Sequence, residues 1–267
     1  MRKSTIAIFW VLAIILTLST SIYQRITGPT NPKKTTITIN DTEYRLSFPR
    51  SATSTDNTIT LNIADQNVKA QLIYRKYQLD EEYSIIDFQH NGQVLTANLP
   101  IQPKAGKLEY YISVNDEMLF EQDPLILRFK GDVPMGVLIP HIIFMFTAML
   151  FASYGLILSI ANKKNVSRYV LLTIFALLFG GFVFGPIVQK YAFGVYWSGF
   201  PLGFDLTDNK TLIALVLLLI NIPLLRKKAL RYTAMIAFLG MITIFCIPHS
   251  LRGSEFNHQT GQVETAK

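Results

Sequence analysis

Five apolar runs constrain what this chain can fold into more than any other feature of its sequence. They cover residues 6–22, 134–161, 169–188, 211–225 and 232–247. A helix needs about 20 apolar residues to cross the roughly 30 Å hydrocarbon core of a bilayer. Half of the 267 residues are apolar and only 16% are charged, which excludes a disordered chain and indicates a membrane protein. The sequence therefore predicts a helical membrane bundle of five spans.

The fourth run is short for a span, because about 15 residues cover only roughly 22 Å of helix. Its helix is therefore expected to begin earlier, near Thr207. A side-chain oxygen of Asp205 or Thr207 would then accept hydrogen bonds from the first free amides of the helix. Asp205, Asp208 and Lys210 form a polar cluster in the sequence. This capping role is one interpretation of the polar cluster.

The basic residues that flank the runs predict the orientation of the spans. Nine of them fall on the side of the N-terminus: Arg2, Lys3, Lys163, Lys164, Arg168, Arg226, Lys227, Lys228 and Arg231. Short loops rich in lysine and arginine stay in the cytoplasm. The N-terminus is therefore expected in the cytoplasm and the C-terminus outside it. Residues 1–28 form an anchor or a signal peptide, and both interpretations give the same topology.

Residues 29–131 have a different composition and predict an extracytoplasmic β-sandwich inserted after the first span. Apolar residues alternate with polar ones in 68–75 and 108–114, as expected of strands with one buried face. Asn40-Asp41, Asn91-Gly92 and Asn115-Asp116 separate such stretches and suit tight turns. Seven or eight strands are predicted. Residues 132–253 then form the other four spans, and 254–267 a flexible tail.

Two histidines and an aromatic loop are the candidate functional residues. His141 and His249 each follow a proline near the predicted outer end of a span, and residues 190–205, with Trp197, return to that side. The first interpretation of these residues is structural: they lie at the membrane interface or cap helices. The other is a pocket in which His141 and His249 bind a metal ion or haem beside Trp197 and Asp205.

Two resemblances bear on these residues. Gly194 to Ser198, Phe204-Asp205 and the helix that follows resemble the tryptophan-rich motif of the haem-handling proteins of cytochrome c maturation, with Phe193 and Phe204 in place of tryptophans. That resemblance implies haem as cofactor and His141 and His249 as its histidines.

The second resemblance covers nearly the whole chain. Residues 128–134, 139–141, 185–194, 205–211 and 247–250 are similar to an uncharacterised family of bacterial multi-pass membrane proteins. Within the β domain, residues 98–100 and 107–112 resemble fibronectin type III or immunoglobulin-like modules. These likenesses imply this fold in the inner (cytoplasmic) membrane of a bacterium. They imply no function, because the same fold serves many functions.

The sequence favours a non-enzymatic function. No GxSxG, GxxxxGK[ST] or HExxH motif is present, and one cysteine, Cys246, forms neither an internal disulfide nor a thiolate zinc site. The net charge of +7 does not indicate nucleic acid binding, since many basic residues sit at the ends of apolar runs. We therefore expect an envelope protein, embedded in the lipid bilayer, whose sandwich binds a partner protein. The alternative is a haem- or metal-handling protein using His141 and His249; a transporter is the weakest interpretation.

Overall fold

The chain divides into two units in a computed structural model that describes residues 2–53, 57–249 and 251–265. The helical unit comprises Met1–Gly28, Val133–Ser254 and Thr265–Lys267. The β unit comprises Pro29–Asp132 and Glu255–Glu264. The residues after Ser254 are thus shared between them, whereas the sequence predicted a separate flexible tail.

The helical unit consists of helices that coincide with the five apolar runs. They are α1 (Lys3–Ile26), α2 (Met135–Ile160), α3 (Val166–Leu177), α4 (Gly185–Phe193), α5 (Leu206–Leu219) and α6 (Leu230–Cys246). A π-helical segment, Leu178–Phe184, joins α3 to α4 in one continuous helical segment, and a 3₁₀ turn, Ile222–Leu224, follows α5. Four helical segments are long and apolar enough to cross a membrane: Lys3–Ile26, Met135–Ile160, Val166–Phe193 and Leu206–Leu224. One further apolar helix, Leu230–Cys246, is shorter than these four segments.

Small residues allow the helices to approach closely. A Cβ atom on Gly155 of α2 would lie 2.5 Å from Cε2 and Cζ of Phe238, which is fully buried on α6. In the π-helical segment, a Cβ on Gly181 would lie 2.6 Å from Cγ2 of Thr211. Thr17 of α1 and Ser153 of α2 are both buried, and their hydroxyls bond at 3.2 Å. Close backbone approach and buried hydroxyl pairs are typical of helices packed in lipid.

The β unit contains eleven strands before α2 and most of a C-terminal hairpin, within the described residues. The strands are β1 (Lys33–Ile39), β2 (Thr42–Phe48), β3 (Ser51–Ala52), β4 (Thr58–Leu61), β5 (Ala70–Lys76), β6 (Ser84–Asp87), β7 (Gln89–Asn91), β8 (Val94–Asn98), β9 (Lys107–Val114), β10 (Glu117–Leu119) and β11 (Leu125–Phe129). The largest sheet has the order β3-β11-β9-β5-β6, with β10 beside β9. A second sheet has the order β4-β8-β7, and β1 pairs with β2.

The sheets bury their inner faces in one core, as the alternating pattern predicts. Leu108, Tyr110, Ile112 and Val114 of β9 are all buried. They pack with residues of β2, β4, β5, β8 and β11. The predicted turn residues also have the expected backbone, because Asn40-Asp41 and Asn115-Asp116 have positive φ angles between paired strands.

The C-terminal residues form a hairpin of β12 (Ser254–Asn257) and β13 (Gln262–Thr265) instead of the flexible segment that the sequence predicted. Within the β unit, Lys107 Nζ lies 2.7 Å from Glu255 Oε2, and the amide of Phe256 donates to Ala105 O at 3.0 Å. These long-range bonds have no signature in a short polar sequence, which is why the pattern alone suggested a flexible tail.

Candidate functional site

Asp205 is the N-cap of α5 and also binds Ser254, another residue of the helical unit. Its Oδ1 accepts from the amides of Thr207 at 2.8 Å and Asp208 at 3.4 Å. Its Oδ2 accepts from the amide and hydroxyl of Ser254, at 2.9 and 3.2 Å. Both residues are buried. The predicted cap is therefore confirmed at Asp205, and each of its carboxylate oxygens already accepts two hydrogen bonds.

Asp208, one turn further along α5, fixes the aromatic loop. Its Oδ2 accepts from the amide of Ser198 at 2.7 Å, from the Ser198 hydroxyl at 3.3 Å and from Gln189 Nε2 at 3.1 Å. Gly199 is required beside it, because a Cβ there would lie 2.6 Å from Cβ of Asp208. This buried carboxylate thus connects α4, the loop and α5.

Lys210, the third member of the polar cluster, bonds to the segment that follows α6. Its side chain is only 2% exposed, and Nζ donates to Ile247 O at 2.7 Å. Gln24 Nε2, at the end of α1, donates to the same carbonyl at 3.1 Å and also bonds Phe245 O. One carbonyl therefore joins the ends of α1 and α6 to the start of α5.

His141 lies on α2 against the π-helical segment. Its Nδ1 lies 2.9 Å from Gly180 O, which also accepts from the Gly185 amide. A carbonyl oxygen only accepts, so Nδ1 must carry a proton. In the neutral ring, Nε2 then has the free lone pair that a metal ion requires.

His249 follows α6, and its imidazole interacts electrostatically with Lys210 and His141. Desolvation by the surrounding protein atoms, together with the charges of those two residues, lowers the pKa of His249 to about 3, although the residue is exposed to solvent by surface area. The ring is therefore neutral at pH 7. Within the described residues, no group of three or more His, Cys, Asp or Glu side chains is placed to hold a metal ion.

The aromatic loop is ordered by its own contacts. Trp197 stacks on Phe182 with ring centroids 5.6 Å apart, and its Nε1 donates to Phe200 O at 3.1 Å. By contrast, Phe200, Leu202 and Phe204 point outward and are 65%, 76% and 80% exposed. Such side chains are typical of the boundary between lipid and water. They fit the structural interpretation of this loop as an interfacial segment.

The β unit has its own polar cluster around Glu109, which is only 7% exposed, on the outer face of the largest sheet. Glu109 accepts from Arg75 Nε and from the Tyr83 hydroxyl, the latter at 2.6 Å. The guanidinium carbon of Arg75 lies 4.5 Å from the centroid of the Tyr83 ring, which contacts Tyr111 edge to face at 5.7 Å. Tyrosine and arginine are enriched where proteins bind one another.

The sequence did not predict several residues that bond to the polar cluster, namely Gln189, Ser198 and Ser254. It also did not predict Gln24, which shares a carbonyl acceptor with Lys210. Gln24 and Gln189 carried a usable signal, since amide side chains near the ends of apolar runs are costly to bury unless they form hydrogen bonds. The serines carried none, because polar loop residues are common. Comparison of the chain with protein-family models, curated proteins and solved structures gives no match.

Proposed function

We propose that this chain is a non-enzymatic integral protein of a bacterial cytoplasmic membrane. Its five helical spans anchor a β-sandwich that binds a partner protein on the extracytoplasmic side. The N-terminus is cytoplasmic and the C-terminus is outside.

One observation carries this proposal: helix ends that the basic residues assign to the same side of the membrane contact one another. Gln24 and Lys210 meet at Ile247 O, and Asp205 meets Ser254, all on the predicted outer side. On the predicted inner side, Arg231 Nε donates to Ser159 O at the end of α2, at 2.9 Å. Spans that alternate in direction would produce this grouping.

The apolar surface of the helices supports the proposal that lipid surrounds them. Large aliphatic side chains are more than half exposed along the spans, among them Ile8, Ile15, Ile143 and Ile236. Soluble monomers rarely expose contiguous apolar surface of this extent. The bonds of the polar cluster support a structural role, because Asp205, Asp208 and Lys210 each bind other parts of the same unit.

Reporter fusions test the orientation. Alkaline phosphatase needs disulfides, which form outside the cytoplasm, so it is active only on that side. We expect activity from a fusion after Lys267 and none from a fusion after Lys164. Green fluorescent protein at the same two positions serves as the reciprocal control and should fluoresce only after Lys164. The reverse pattern would overturn the proposed topology.

A haem- or metal-handling function is the second candidate, and the tautomer of His141 favours it. A histidine that donates Nδ1–H to a carbonyl and keeps Nε2 free is a common arrangement among metal ligands. His249, neutral at pH 7, would be the second ligand. Trp197 and Asp205, the other residues assigned to this site, already form hydrogen bonds within the chain.

Spectroscopy and metal analysis of the detergent-purified protein separate the two candidates. The anchor proposal predicts neither a Soret band nor stoichiometric metal, and no spectral change in His141→Ala or His249→Ala. His90→Ala, in the β unit, is the matched control. A chromophore or metal ion lost in the first two variants and kept in the control would contradict the anchor proposal and establish the second candidate.

A further inference from the structure

Strand β6 (Ser84–Asp87) is an open edge of the largest sheet in the β unit. β5 pairs with one side of it, with Ile73 opposite Ile85, and no described strand pairs with the other side. Three of its four residues are exposed, and Ile85 is 60% exposed. Unpaired amide and carbonyl groups at a sheet edge can bond to another extended chain. The backbone of β6 is therefore available to a further strand.

The side chains around this edge are acidic. Residues 79–87 include Asp80, Glu81, Glu82 and Asp87 and contain no lysine, arginine or histidine. Glu81 lies 3.7 Å from Lys76, whereas the exposed Asp80, Glu82 and Asp87 form no salt bridge with any described residue. The edge is thus locally negative on a chain whose net charge is +7.

We propose that β6 binds a basic, extended segment of the partner protein, which adds to the sheet as one more strand. This inference rests on the proposed function and names the surface and chemistry of the partner. Backbone hydrogen bonds would hold the segment, as in other cases of strand addition. Its basic side chains would face Asp80, Glu82 and Asp87, and an apolar side chain would cover Ile85.

The same charges disfavour a second copy of this chain as the occupant. Two β6 edges paired with each other would bring Glu82 and Asp87 of one copy close to the acidic residues of the other. Like charges on neighbouring strands destabilise their pairing. Complementary charge, by contrast, speeds association and selects the partner. The acidic edge therefore repels itself and attracts a basic strand.

Peptide binding to the full-length chain in detergent tests this proposal. The probe is a fluorescent peptide of about nine residues, long enough for one strand, in which lysine and valine alternate along one face and threonine fills the other. We expect saturable binding by fluorescence anisotropy. Ile85→Lys and Glu82→Lys should each weaken that binding at least about tenfold, because they place positive charge at the edge.

Matched controls distinguish strand addition from simple charge attraction. Ile101→Lys introduces the same charge at a residue that is 57% exposed in the loop between β8 and β9, and it should leave binding unchanged. A peptide N-methylated at alternate residues has lost backbone donors and should not bind. A peptide with glutamate in place of lysine should bind at least about tenfold more weakly.

Three results would overturn the proposal: no saturable binding, binding that survives N-methylation, or equal weakening by Ile85→Lys and Ile101→Lys. Circular dichroism of each variant shows whether it is folded, and Glu82→Lys provides an independent variant if Ile85→Lys is not. The phosphatase fusions decide the proposed topology separately. A failure of the β6 edge is therefore distinguishable from a failure of the membrane anchor.

Discussion

Replacing Asp205 with alanine is expected to lower the free energy of unfolding of the helical unit by about 2–4 kcal/mol. The substitution removes a helix cap and leaves buried hydrogen-bond donors without an acceptor. Asp205 is 4% exposed and Ser254 only 1% exposed, so water cannot replace the lost acceptors readily. The loss should appear as a lower denaturant midpoint for the helical signal in detergent.

Asp205→Ser is the matched control, because serine can cap α5 but is too short to reach Ser254. It should recover about 1 kcal/mol of the loss. Ser254→Ala tests the other half of the contact, and its effect should not add fully to that of Asp205→Ala. Full additivity, or an Asp205→Ala variant as stable as the natural chain, would refute this account of the polar cluster.

Gly155→Ala should also destabilise the helical unit, although alanine normally favours helix. The new Cβ would lie 2.5 Å from two ring atoms of Phe238, and the buried ring has little room to move. Overpacking costs about 1–3 kcal/mol, which exceeds the roughly 1 kcal/mol that alanine gains in helix propensity. Gly155→Val should be worse, because its branched side chain enlarges the clash.

Gly136→Ala, on the same helix, is predicted to have the opposite sign. A Cβ on Gly136 meets no heavy atom within 4 Å, so propensity acts alone and stability should rise by up to about 1 kcal/mol. The clash at Gly155 should be relieved when Phe238 is shortened to leucine in the same chain. If both alanine variants changed stability in the same direction, close packing of α2 on α6 would not be the cause.

The elements that the sequence predicted are those set by local chemistry. The alternation in 68–75 and 108–114 predicted β5 and β9, because a one-residue shift would expose the whole apolar set. The shortness of the fourth apolar run predicted a helix start near Thr207, capped by Asp205 or Thr207, and α5 begins at Leu206 with Asp205 as its N-cap. In both places the signal lies within a few residues, so tertiary contacts were not needed to interpret it.

Other features depend on contacts between distant residues. Gln24 bonds to carbonyls more than 200 positions away, and Lys107 pairs with Glu255 in a stretch predicted to be flexible. The π-helical segment at Leu178–Phe184 places Gly180 O within reach of His141. The sequence of this segment does not distinguish α from π geometry, because that choice depends on the packing against α2.

Cysteine labelling of the full-length chain tests the membrane-anchor account most directly. Cys246 is the only natural cysteine, so a Cys246→Ser background permits single probes at exposed positions: Lys104→Cys, Leu202→Cys, Lys164→Cys and Lys227→Cys. A membrane-impermeant maleimide should label the first two in intact spheroplasts, and the other two only after the membrane is disrupted. Labelling of Lys164→Cys or Lys227→Cys in intact spheroplasts, with Lys104→Cys and Leu202→Cys protected, would contradict the proposed topology.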